Sequence, residues 1–171
     1  MRLFFALQPD AETSLDVISF RDSTLPPLDR PVPIANLHVT LAFLGEVTES
    51  RLEQLFDLAS GVSMTPFEIT FDELGYWPKP RILWIGASHT PAILLDVVRQ
   101  LTGVARGLHI PMQKRLYRAH ITIARNCRTP PPASALPPHI AARFTAFTLF
   151  CSRRTKSGVR YEALGDFNSR D

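Results

Sequence analysis

A histidine and a threonine two residues apart, set in a β-branched apolar run, occur twice in this chain. The first copy is Asn36-Leu37-His38-Val39-Thr40-Leu41-Ala42-Phe43, and the second is Ala119-His120-Ile121-Thr122-Ile123-Ala124-Arg125. Side chains at i and i+2 share one face of a strand, and the one between points away. Each copy, read as a strand, puts its His and Thr on one surface. Val39 and Leu41, or Ile121 and Ile123, are then the buried set behind them. Thirteen of the 171 residues are Thr and five are His. Two such pairs by composition alone are about a one-in-twenty event. If the two strands lie side by side, two imidazoles and two hydroxyls converge on one cleft.

The rest of the chain reads as short elements around these two. Residues 2–7 predict a buried first strand, and Ala11 to about Phe20 a helix capped by Asp10. Prolines from Leu25-Pro26-Pro27 to Pro33 force a loop that leads into the first motif strand, about 37–44. A helix follows Thr48-Glu49-Ser50-Arg51, with Leu52, Leu55, Phe56 and Ala59 at helical spacing. Residues 66–75 alternate as a half-exposed strand, residues 76–80 read as a turn, and 81–86 as another strand. A helix over 91–107 would turn Leu94, Leu95, Val98, Leu101 and Val104 inward. A proline-rich surface loop, Pro130 to Pro138, precedes a closing pair of strands at 143–151 and 159–164. Mixed short and helical connections point to an α+β protein with largely antiparallel sheets, not a doubly wound parallel one. The two histidines stand 82 residues apart, near half the length, as a duplicated unit would give.

Composition sets the outer limits. An apolar content of 45% supports a real core, and 171 residues suit one domain or two small lobes sharing a cleft. The net charge of +3 suits an anionic ligand without proving a nucleic-acid partner. Cys127 and Cys151 form no Cys-x-x-Cys pattern and read as unpaired thiols in a reducing compartment. The N-terminal apolar run stops at Gln8-Pro9-Asp10, too short for a signal peptide, and no run approaches a membrane span. The expectation is a cytoplasmic enzyme with no membrane partner.

Two histidines on one cleft suit phosphoryl chemistry. One neutral imidazole takes a proton from an attacking water, and the other, protonated, gives one to the leaving oxygen. Both forms exist near neutral pH because free imidazole titrates near 6.5. Thr40 and Thr122, with Arg125 nearby, are donors of the kind that stabilise charge on non-bridging phosphoryl oxygens. Arg118 and Tyr117, with Arg115, read either as a basic aromatic lip for a single-stranded RNA end or as an ordinary solvated loop. No Asp, Glu or Cys stands at ligand spacing beside either motif, so neither a metal nor a cofactor is expected. His89, His109 and His139 read as structural, and Phe43 and Trp84 as core.

The double His-x-Thr pattern resembles the two-histidine phosphoesterase superfamily. The longer runs Asn36 to Val47 and His120 to Arg125 are similar to its bacterial RNA 2′,3′-cyclic phosphodiesterase branch, also called 2′-5′ RNA ligase-like. Arg2-Leu3-Phe4-Phe5-Ala6, Arg81 to Gly86 and Gly158 to Leu164 also resemble that branch, so the likeness spans nearly the whole chain. It implies one domain over 1–171, bilobal and pseudo-twofold, with each lobe bringing one motif strand to a central groove. It implies metal-free opening of an RNA terminal 2′,3′-cyclic phosphate to a 2′-phosphate, with His38 as proton donor and His120 as proton acceptor. Thr40 and Thr122 would hold the phosphate. One departure is Ala119, where the branch commonly has proline. The expected partners are RNA 3′ ends bearing a cyclic phosphate, such as transfer-RNA fragments, or small cyclic nucleotides, met by a monomer. The alternatives are 2′-5′ ligation or cleavage by the same groups, and a module that binds RNA ends without turnover.

Overall fold

A computed structural model describes residues 1–133 and 135–168; Ser134 of the proline-rich loop lies outside them. The elements run β1 (Arg2–Leu7), α1 (Ala11–Thr24), β2 (Arg30–Pro31), β3 (Val39–Glu46), α2 (Leu52–Ser60), β4 (Phe67–Phe71) and β5 (Glu73–Trp77). They continue with β6 (Ile82–Gly86), α3 (Ala92–Gly107), β7 (His120–Arg125), β8 (Ile140–Phe144), β9 (Ala146–Thr155) and β10 (Gly158–Asn168). Strands pair in the order β10-β9-β1-β3-β7-β6-β5, with β2 added on β7, and β4 and β8 form a separate two-stranded ribbon. Every pairing among the described residues is antiparallel, so the α+β class with antiparallel sheets holds.

Strand alternation splits the large sheet into two unlike faces. Leu3, Phe5 and Leu7 of β1 join Val39, Leu41, Ile121 and Ile123 on the core face. There they meet Leu55 and Ala59 of α2 and Leu94, Val97, Leu101 and Ala105 of α3. Phe4, Ala6 and Phe150 form a small cluster on the other face, against Tyr161. That second face carries His38. Helix α1 begins as expected, with the Asp10 carboxylate accepting from Thr13 N at 2.8 Å. It runs one turn further than the sequence suggested and buries Arg21, whose Nη1 donates to Val32 O at 2.7 Å, tying the helix to the β2 edge.

Three expectations are corrected. The alternating run 66–75 is not one strand, because the chain changes sheets at Asp72. The Asp72 amide donates to Gly86 O, and its carboxylate accepts from Ser88 N at 2.8 Å and Ser88 Oγ at 2.5 Å, which anchors the crossing. Tyr76 and Trp77 then belong to β5 and not to the turn, which begins at Pro78. On α3 the buried stripe is Leu94, Val97, Leu101 and Ala105, leaving Leu95 46% exposed. The apolar residues allowed two adjacent phases of the same helical period, and packing on α2 and β3 chose this one.

Candidate active site

The two motif strands are neighbours, and they meet at a single pair, Val39 with Ile121. Both of these residues are fully buried on the core face. Carried one residue to either side, this antiparallel register sets His38 against Thr122 and Thr40 against His120. The four side chains share the opposite face. Beyond the pair the strands part company. β3 stays with β1 across six positions, while β2 takes over the β7 edge at Ala124 and Arg125, and Val32 N donates to Ile123 O at 2.9 Å. The two motif strands thus touch at one point in the middle of the large sheet.

The imidazoles are oriented in the same way. His38 Nδ1 donates to Asn36 O at 2.8 Å, and His120 Nδ1 donates to Arg118 O at 2.8 Å. In each case the acceptor is a carbonyl, so Nδ1 carries the proton of the neutral ring and Nε2 carries the lone pair. The two rings differ in what Nε2 meets. His38 Nε2 accepts from the Thr40 hydroxyl at 3.0 Å, whereas His120 Nε2 has no hydrogen-bond partner among the described residues. The open nitrogen is the better placed to accept a proton from an incoming water.

Aromatic rings wall each histidine. Phe4 and Tyr161 lie 5.1 and 5.0 Å from the His38 ring, Tyr161 nearly perpendicular to it. Trp77 presents an edge to His120 at 4.7 Å, with Trp84 behind at 6.2 Å. Trp84 lies flat on the sheet over two glycines. A Cβ on Gly75 would sit 2.0 Å from its ring, and one on Gly86 2.6 Å from it. The reading of Trp84 as buried holds, at 6% exposure. That of Phe43 does not: Phe43 is 43% exposed, with the Arg2 guanidinium 5.0 Å over its ring.

Charge and burial act together on both imidazoles. Burial pushes His38 down to about 4; its hydrogen bond to Asn36 opposes this, and the charges of Arg125 and His120 add to it. His120 is lowered for the same first reason, with Arg115, Arg118 and Arg125 contributing. Arg125, at the exposed end of β7, thus acts electrostatically on both rings. Arg118 lies 4.7 Å over Trp84 and pairs with Glu73. Tyr117 donates from its hydroxyl to Thr40 O at 3.1 Å, and burial raises that hydroxyl above the usual phenol range. Its hydroxyl is thereby committed to holding the first motif strand.

Four residues beside the histidines escaped the sequence reading: Phe4, Tyr161, Trp77 and the pair-forming role of Asn36. The closeness of Phe4, Trp77 and Tyr161 to a histidine depends on strand order, which no local pattern records.

Comparison with known proteins gives the class. The description LigT like Phosphoesterase belongs to a family model that matches residues 26–84. A protein of Escherichia coli (strain K12) named RNA 2′,3′-cyclic phosphodiesterase is 34% identical over 167 residues, covering 95% of this chain and 93% of its own. The crystal structure of E. coli LigT in apo form superposes with a TM-score of 0.91 at 32% identity, over 99% of this chain and 98% of that one. E. coli LigT complexed with 3′-AMP gives 0.87 at 31% identity over the same shares. The class is that of the two-histidine phosphoesterases. Within it, the chain belongs to the LigT-like phosphoesterase family.

Proposed function

We propose that this protein opens RNA terminal 2′,3′-cyclic phosphates to 2′-phosphates, with His120 as base and His38 as acid. The observation that carries the reading is the matched pair of Nδ1–carbonyl hydrogen bonds, which puts the lone pair of each neutral ring on Nε2, the atom that the proposed proton transfers use. The E. coli relative's name and the binding of 3′-AMP by E. coli LigT support the same substrate class. Residues 1–171 act as one domain of two lobes, each supplying one His-x-Thr strand, and the protein works as a cytoplasmic monomer. Among the described residues no helix is long and apolar enough to cross a membrane.

In the reaction a water oxygen forms the new bond to phosphorus while its proton passes to His120 Nε2. The P–O3′ bond breaks in line with that attack, and O3′ takes the proton from His38 Nε2. A 2′-phosphate and a free 3′-hydroxyl remain, and solvent returns the two imidazoles to their starting states. Thr40 and Thr122 hydroxyls donate to the non-bridging oxygens, and Arg125 and Arg118 balance the added charge. With purified protein in EDTA and an oligoribonucleotide ending in a 2′,3′-cyclic phosphate, the expected product carries its phosphate on the 2′-oxygen. A 3′-phosphate product would show that O2′ and not O3′ is the leaving oxygen, overturning the placement of O3′ at His38, and an unchanged substrate would leave only binding.

The lowered imidazoles make a prediction about pH. The productive free enzyme needs His38 protonated and His120 neutral, and His38 holds its proton only near pH 4. The maximum of kcat/KM should therefore lie below pH 6.5 and decline as pH rises through neutrality. A bound phosphodiester is an anion that offsets Arg115, Arg118 and Arg125, so both imidazoles rise in the complex. The kcat profile should accordingly be displaced to higher pH than the kcat/KM profile. Superimposed profiles, or a kcat/KM maximum on the alkaline side, would rule out this protonation scheme.

A further inference from the structure

We propose that the RNA chain on the 5′ side of the cyclic phosphate crosses the β9–β10 hairpin, where Arg154 and Lys156 hold its upstream phosphates. This rests on the reading of His38 as the group that protonates O3′. In-line displacement puts the attacking water and O3′ on opposite sides of phosphorus, at His120 and at His38. O3′ belongs to the terminal ribose, and the rest of the RNA continues from that ribose. The body of the substrate is thereby assigned to the His38 half of the sheet.

The surface beyond His38 fits such a chain. Tyr161, against the His38 ring, pairs across the ladder with Ser152, and the next pair on the same face is Val159 with Arg154. Two strand residues span about 7 Å, so Arg154 follows directly beyond the aromatic wall. Lys156 stands exposed at the turn that joins the two strands. Among the described residues neither Arg154 nor Lys156 forms an ion pair. Glu162 alternates to the opposite face, where it is taken by Arg153. The hairpin is also fastened to the site, because Asn36 Nδ2 donates to Val159 O at 2.8 Å while Asn36 O orients His38. On the His120 side, by contrast, Trp77 closes the ring at 4.7 Å, and Arg118 is engaged by Glu73 and Trp84.

The test compares kcat/KM for a 2′,3′-cyclic mononucleotide with that for a hexaribonucleotide ending in the same group, at several salt concentrations. Wild type should favour the hexamer at low salt. The double variant Arg154→Ala/Lys156→Ala should reduce the hexamer-to-mononucleotide ratio about 10-fold at low salt. Its salt dependence should also flatten, by about 0.7 in log–log slope for each RNA phosphate that is no longer neutralised. Arg106→Ala, in the last turn of α3, removes one positive charge from a different element and should leave the ratio as in wild type. A ratio untouched by the double variant, or one lowered equally by Arg106→Ala, overturns the track. If wild type turns over neither substrate, the functional reading fails. Equilibrium binding of the hexamer to the same variants then decides the track, which is overturned if affinity does not fall.

Discussion

His38→Ala and His120→Ala should each lower kcat for cyclic-phosphate opening by about 10²–10⁴-fold, the usual worth of one positioned acid or base. That corresponds to about 3–5 kcal/mol of transition-state stabilisation in each case. The double variant should be little worse than either single one, because two groups that act in one proton relay fail as a unit. Affinity for a non-reacting nucleotide should change far less than kcat, since Thr40, Thr122 and the arginines stay in place. Kinetics and equilibrium binding on the three variants decide the matter. Retained turnover in either single variant would remove that histidine from the chemistry and overturn the two-histidine mechanism.

Gly75→Ala should destabilise the protein by about 1–3 kcal/mol, a large effect for one added methyl on a strand. The new Cβ would fall 2.0 Å from Trp84 Cζ2 and 2.3 Å from both Cε2 and Cη2, so the indole has to leave its place on the sheet. Trp84 is 6% exposed, with Gly86 also tight beneath it and the Arg118 guanidinium above. Displacing it also disturbs Trp77, whose ring lies 5.0 Å from Trp84 and 4.7 Å from His120. Turnover should therefore fall along with the melting temperature, at about 2–4 °C per kcal/mol for a chain of this size. Trp84→Ala in the Gly75→Ala background supplies the check. The clash predicts that the double variant is more stable than the sum of the two single losses. Simple additivity would mean that the indole is not what Gly75 makes room for.

Much of this architecture was legible beforehand because it depends on neighbours in sequence. The period of two in 36–43 and 119–125 put His38, Thr40, His120 and Thr122 on the polar side of their strands, and Val39, Leu41, Ile121 and Ile123 are indeed buried. The Asp10 cap was equally local. Errors arose where two local readings were both allowed. Residues 66–75 alternate through Asp72 as one strand would, and only the hydrogen bonds of Asp72 with Gly86 and Ser88 show the change of sheet. Phe43 looked like core by type, yet it is exposed on its strand, where Arg2 covers it.

The sequence by itself determined which side chains share the polar face of each motif strand, because residue type and strand alternation are properties of a few adjacent residues. Tertiary structure alone decided that the two motifs touch at Val39 and Ile121, positions 82 residues apart in the chain. It also decided which rings enclose each imidazole and how far burial drives His38 toward about 4. Strand order and desolvation are sums over contacts made by distant segments. No local pattern carries them.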